Sequence, residues 1–408
     1  MASMVAARRS SKLRVLIAGA GLGGLTAALA LIKRGFDVEL YEQAEELHEL
    51  GAGIQLGPNG SRILIALGLG PAMQEIVAEP AAKEVRLWNS DAVWKLFDLG
   101  RDSLERFGAP YWMVHRGDFH RVLWQAVERE RPGALNLACR AIACSERGGK
   151  ALLELEGGSR VEGDVLIAAD GVHSRLRSHL FGAAKPRFTG LMAWRGIVPM
   201  DRLPAELRRP VGTNWHGPGG HVVTYPLRRG TLLNFVGVVE RDDWRSDGWS
   251  EPGSQQECAA DFAGWHPLIH AIIANLDVVY KWALIGRAPM PAWSKGPMTL
   301  LGDACHPTLP FLAQGAIMAI EDGVVLARSL DASPDNIAGA LNRYQGLRLA
   351  RTARVVAGSA ANTERFHNRV LADPVAAHAY MTREYPPDKG RTIYDWLFAY
   401  DAMTVPMV

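Results

Sequence analysis

The chain has 408 residues, 48% of them hydrophobic, and a net charge of +2. That length calls for two domains rather than one simple core. So small a net charge, with acids and bases interspersed, excludes a global field for drawing in nucleic acid or acidic lipid.

Residues 1–12 are basic and lack an apolar segment, so they are expected to be a disordered lead-in and not a signal peptide. No apolar run approaches the roughly 18 residues a spanning helix needs, and a cytoplasmic location is expected. Cys139, Cys144, Cys258 and Cys305 form no C-x-x-C pair. They read as free thiols in a reducing compartment, and no metal site is expected.

Leu13–Ala18 is a short apolar β-prone run, followed by a glycine turn and an Ala/Leu-rich helix from Leu25 to Arg34. Asp37–Glu42 is the next strand, completing a βαβ unit. Gly57-Pro58-Asn59-Gly60 opens a helix to about Leu67. Short strands are predicted at 85–88 and 93–96, and a helix from 118 to 129 with Asp118 as N-cap. Val165–Asp170 is a further strand.

Residues 186–285 read mostly as β, with a hairpin formed by 220–227 and 232–239 across Arg228-Arg229-Gly230. Seven of the 12 Trp fall between 194 and 293, where they would help keep water out. Long helices are predicted at 313–330 and 337–366. The tail after Asp373 reads as irregular, broken by Pro386-Pro387, and its aromatic residues would cover either a neighbouring subunit or the chain's own core.

Three motifs carry chemistry. In Gly19-Ala20-Gly21-Leu22-Gly23-Gly24, Gly19 permits the tight turn. Gly21 admits a pyrophosphate close to the backbone, and Gly24 lets helix pack on strand. The anion then rests on the helix N-terminus. Glu42, at the end of the second strand, is placed to accept the hydroxyls of an adenosine ribose and would repel a 2′-phosphate. The site therefore suits FAD or NAD, not NADP. In Gly302-Asp303-Ala304-Cys305-His306-Pro307, Asp303 is placed for ribityl or pyrophosphate-side hydroxyls. The helix opened by Leu312-Ala313-Gln314-Gly315-Ala316 aims its positive end at a flavin ring. Asp170-Gly171-Val172-His173-Ser174-Arg175 has no such simple reading. Asp170 is either a cap or a phosphate-side ligand.

Together the motifs resemble the class A flavoprotein aromatic monooxygenases, the para-hydroxybenzoate hydroxylase-like family. The stretches 50–59, His115-Arg116-Gly117-Asp118 and 302–322 resemble the branch holding salicylate hydroxylase, 3-hydroxybenzoate 6-hydroxylase and 6-hydroxynicotinate 3-monooxygenase. The resemblance covers about residues 13–370. It implies an α/β fold, α+β overall, with a Rossmann-like FAD-binding domain at 13–80, 105–185 and 286–370. A β-rich substrate domain at 81–104 and 186–285 is inserted, and C-terminal helices and a tail at 371–408 follow.

It further implies that Gly19, Gly21, Gly24 and Glu42 bind the ADP half of tightly but non-covalently held FAD. Arg116 contacts the phosphate-ribityl region, Asp170 lies in a motif shared by FAD and NAD(P)H, and Asp303 holds the ribityl part. Gly53, Gln314, Gly315 and Ala316 lie against the isoalloxazine.

His221 and Tyr225, four apart on one strand, share a sheet face. The resemblance makes them the substrate-contacting pair, His221 taking a phenol proton. NADH would reduce the flavin, and O2 would add to give a C4a-hydroperoxide that hydroxylates a small phenolic acid of the salicylate or 3-hydroxybenzoate type. No nucleic-acid or membrane partner is expected, and the protein would be a monomer or homodimer. Pro310, Phe311 and Gln55 depart from relatives and argue against 6-hydroxynicotinate. Arg195 and His216 are candidate carboxylate binders. Rival readings are a monooxygenase acting on 6-hydroxynicotinate or on a larger aromatic or polycyclic substrate, and a non-catalytic FAD-binding redox protein.

Overall fold

A computed structural model describes residues 13–47, 52–183, 186–244, 250–386 and 392–407. The predicted lead-in, Leu50, Gly51 and Pro387 lie outside the described residues. The central sheet has six strands in the order Ser294–Lys295, Met298–Leu300, Val165–Ala168, Arg14–Ala18, Asp37–Tyr41, Leu135–Asn136. All its pairs are parallel except the first. Val15–Ala18 and Val165–Ala168 are fully buried, as a parallel strand covered on both faces requires. Strands from the start, middle and end of the chain thus meet in one sheet, and the three glycine motifs lie at their carboxyl ends.

The helix after the first strand runs Leu22–Ile32, starting three residues earlier than expected. It packs on the long helix Gly315–Ala332, where a Cβ at Gly323 would lie 2.8 Å from the backbone N of Ala27. Asp118 is not an N-cap. The helix spans Arg116–Glu130 with His115 as cap. Asp118 sits in its first turn, accepting hydrogen bonds from Arg228 at 2.7 Å and Arg121 at 2.8 Å.

An eight-stranded sheet forms the other layer. Its order is Ser250–Gly253, Val279–Gly286, Arg187–Pro199, Leu232–Glu240, Gly220–Leu227, Val211–Gly217, Ala82–Leu87, Val93–Asp98. The predicted hairpin pairs His221 with Val238 and Tyr225 with Asn234. One face of this sheet packs against the helices Gln255–Asp261 and Pro267–Ala274. Trp194, Trp215 and Trp265 belong to that packing, so they stabilise the far side of the sheet rather than sealing a cavity.

The described part of the tail is not irregular as expected but carries helices at Pro374–Glu384 and Asp395–Phe398. Asp373 caps a helix, Pro374–Glu384, accepting the Ala376 N–H at 2.8 Å, and Pro374 occupies its first turn. Tyr380, Tyr385, Leu397 and Phe398 are buried against Leu371 and Met381, so the tail completes the chain's own core. Among the described residues, no helix is long and apolar enough to cross a membrane.

Four charges lie between Gly315–Ala332 and the helix Ile337–Phe366. Fully buried Arg348 reaches Glu321 at 2.8 Å and Asp322 at 2.7 Å, and Arg351 reaches Glu321 at 3.0 Å. Asp322 also contacts His306 at 2.6 Å and accepts the Gly302 N–H at 3.1 Å. Removing one partner strands the others in a medium that cannot solvate them. Arg348→Met should therefore cost about 3–5 kcal/mol in urea unfolding, and loosen the Gly302 turn with it. A loss below about 1 kcal/mol would mean the pair is replaceable.

Candidate active site

A cavity of about 350 Å³ opens between the two sheets. Its floor is built by glycines. Gly19 holds φ at +104°, and a Cβ there would collide with the Ala169 carbonyl. A Cβ on Gly24 would run into the Gly19 carbonyl. Gly21 has open space beside it and lines the cavity. The helix Leu22–Ile32 has no side-chain cap, so its free N–H groups face that space. Glu42 stands beside the turn, outside the cavity lining, accepting the N–H groups of Ala20 and Ala44 at 2.8 and 3.0 Å.

A second uncapped helix N-terminus enters from the C-terminal motif. Gly315 and Ala316 line the cavity, but the Gln314 side chain turns away and accepts a hydrogen bond from Asn59 at 2.9 Å. The Asp303 carboxyl is surrounded by protein yet open to the cavity, and desolvation raises its pKa. Arg116 and Gly53 line the middle. Gly53 donates its N–H to Asn234 at 2.8 Å, and a Cβ on it would lie 2.5 Å from the Tyr225 ring. Asp170 is not in the lining. It accepts the Ser174 hydroxyl at 2.5 Å and the Leu176 N–H at 3.1 Å, anchoring the helix Arg175–Phe181, while its neighbour Gly171 faces the cavity. Cys305, His306 and Asp322 come within 4.8 Å of one another. The Asp322 charge there is already taken by Arg348, and the thiol donates to the Gly302 carbonyl.

The roof carries His221, Val223 and Tyr225, alternate residues of one strand. His221 is 1% exposed, and burial, with His367 and His216 adding to it, holds its pKa well below the usual imidazole value. Its Nδ1 lies 2.6 Å from His367 Nε2. Burial raises the Tyr225 phenol, with Arg195 opposing. Arg195 lines the cavity with its guanidinium 4.5 Å over Trp282, and burial lowers it to about 10. His216 lies behind the wall, stacked at 4.3 Å on Phe366, and does not reach the cavity.

The sequence reading missed several groups. Lys83 reaches the cavity from Ala82–Leu87, the next strand but one in the same sheet, and donates to Gln55 at 2.9 Å. Tyr111 donates to the same Gln55 oxygen at 2.9 Å. Among the described residues, no carboxylate lies within 4.0 Å of the Lys83 amine, and burial lowers it to about 8. Phe97, Phe311, Phe366, Tyr394 and Phe398 supply the apolar walls. Two of these come from the tail that looked irregular.

The FAD binding domain family matches residues 12–359. A 3-amino-4-hydroxybenzoate 2-monooxygenase of Streptomyces platensis is 38% identical over 392 residues, covering 96% of this chain and 97% of the relative. A 6-hydroxynicotinate 3-monooxygenase of Bordetella bronchiseptica is 36% identical over 400 residues, 97% of each chain. A solved salicylate hydroxylase substrate complex superposes with a TM-score of 0.80 at 26% identity, covering 96% of each chain.

The chain belongs to the class A FAD-dependent monooxygenases. Its residues fit the cofactor. A glycine cradle that a Cβ would close, two uncapped helix N-termini and a cavity-facing carboxylate match the phosphates and polyol of FAD. His221, Tyr225 and Lys83 line the same cavity as these groups.

Proposed function

We propose that the enzyme hydroxylates a small phenolic aromatic acid, of the salicylate or 3-hydroxybenzoate type, using NADH and O2. The observation that carries the reading is a partly buried, cavity-lining amine, Lys83, with no carboxylate partner among the described residues, sharing one cavity with a buried neutral imidazole, His221. An aromatic acid supplies both missing partners, a carboxylate for the amine and an acidic O–H for the imidazole. The names of the relatives, which act on hydroxylated or amino-hydroxylated aromatic acids, support the same class.

Bound FAD supplies the two-electron chemistry with O2. The chain's own residues do the rest. Lys83, backed by Gln55 and Tyr111, binds the carboxylate through a charge-assisted hydrogen bond. Tyr225 orients the ring. His221 takes the phenolic proton, and the resulting phenolate pushes electron density to its ortho and para carbons. Phe97, Phe311 and Phe398 exclude water from the reacting carbon.

The test is NADH oxidation by purified holoprotein across hydroxybenzoates, aminohydroxybenzoates and hydroxynicotinates, with H2O2 assayed in parallel. Stimulation with little peroxide is expected for at least one hydroxybenzoate. Stimulation only by polycyclic phenols lacking a carboxylate would overturn the substrate class.

A further inference from the structure

The strand that carries His221 does not end the polar chain at the cavity. His221 Nδ1 meets His367 Nε2 at 2.6 Å, and His367 Nδ1 meets Glu240 Oε1 at 3.1 Å. Glu240 Oε2 is held by Arg369 at 2.5 Å. His221 and His367 are 1% and 3% exposed, whereas the Glu240 side chain is 36% exposed. The three groups therefore form a continuous hydrogen-bonded line from the cavity to the protein surface. Three elements hold it in register: the strand Gly220–Leu227, His367 at the end of the helix Ile337–Phe366, and the end of the strand Leu232–Glu240. The Gly219 backbone ties them together, its N–H donating to the His367 carbonyl and its carbonyl accepting from the Glu240 N–H.

We propose that His221, His367 and Glu240 form a proton relay that carries the substrate's phenolic proton from the cavity to bulk water. The proposal rests on the phenolic-acid reading above. The carboxylate sets the direction. Glu240 accepts from His367, so the His367 proton sits on Nδ1 and its Nε2 is an acceptor. That acceptor fixes the His221 proton on Nδ1 and leaves Nε2 as a free lone pair at the cavity.

The phenol O–H breaks and its electron pair stays on oxygen, while an N–H forms at His221 Nε2. The His221 Nδ1–H passes to His367 Nε2, the His367 Nδ1–H passes to Glu240, and Glu240 releases a proton to water. Net, phenol and water become phenolate and hydronium. Reprotonation of the product runs the line backwards and restores both tautomers without a ring flip. The groups facing the line are His216 beside His221 and Arg369 on Glu240. Both imidazoles are poor proton holders because burial lowers them, as a conduit requires.

A purely orienting role for the chain is separable from a relay. Glu240→Gln keeps an acceptor for His367 but cannot take up the proton. The probe is 3-hydroxy-4-nitrobenzoate, whose ionisation on the holoenzyme is read by absorbance in stopped flow without turnover. Glu240→Gln is expected to bind the probe normally and ionise it about tenfold more slowly or worse. The solvent isotope effect should grow, and added azide should restore the rate.

Histidine nitrogen NMR of the wild-type holoenzyme is expected to show both rings protonated on Nδ1, a readout that needs no ligand. Unchanged ionisation in Glu240→Gln, or Nε2-protonated rings, would overturn the relay. A wild-type enzyme that never ionises the probe would instead overturn the phenolic-acid reading on which the relay depends.

Discussion

Lys83→Met is expected to raise KM for an aromatic carboxylate about 10- to 100-fold, the range for losing a charge-assisted hydrogen bond. Phenols without a carboxylate should be unaffected, which separates anchoring from general damage to the site. The same substitution should stabilise the enzyme without substrate. Burial pulls the Lys83 amine down from its usual 10.5 to about 8, and its hydrogen-bond partner among the described residues, Gln55, is neutral. Its folded pKa lies below its unfolded one, so the cost of burying the charge is fully present below pH 8 and fades as pH rises towards 10.5. At pH 7 the Met variant should gain about 1–3 kcal/mol in urea unfolding. A variant that loses both affinity and stability would show Lys83 to be a structural residue.

His221→Asn should lower kcat/KM at pH 7 by about 10²- to 10⁴-fold, the range for losing a positioned general base. The pH dependence discriminates further. Burial holds the His221 imidazole well below 6.5, so it remains an unprotonated base through neutral pH. The wild-type profile should stay flat from about pH 7 to below pH 6.5, fall in stronger acid, and decline as pH rises through about 8, where the Lys83 amine loses its charge. In His221→Asn the phenolate must come from solution, so kcat/KM should climb with pH until the substrate ionises. Full turnover with an unchanged profile in the variant would remove His221 from the chemistry.

The parts of this account that were legible in the sequence are local. A glycine turn, the strand before it and the helix after it fall within one short segment, and the hairpin of His221 and Tyr225 is written in the alternation of 220–239. Lys83 was not legible. Its strand enters the eight-stranded sheet by pairing in parallel with Val211–Gly217, far along the chain, and nothing near residue 83 marks that pairing. His367 and Phe366 likewise reach the roof only because a 30-residue helix ends there.

Composition misled in one place. The Trp-rich segment suggested a sealed reaction space, but Trp194, Trp215 and Trp265 face the opposite side of the sheet, where large rings fill the layer beneath two short helices. The tail was misread for a different reason. Pro386-Pro387 drew attention, while Asp373-Pro374, a cap followed by a first-turn proline, is the sequence signature of the helix found there. Asp170 shows that a motif residue need not touch a ligand, because its hydrogen bonds go to Ser174 and Leu176.

The most direct test is turnover under 18O2 with NADH and whichever hydroxybenzoate stimulates NADH oxidation. The account predicts a product carrying one labelled oxygen on the ring, formed in step with NADH consumed and with little H2O2. NADH oxidation that returns all its oxygen as H2O2, with every aromatic acid recovered unlabelled, would contradict it.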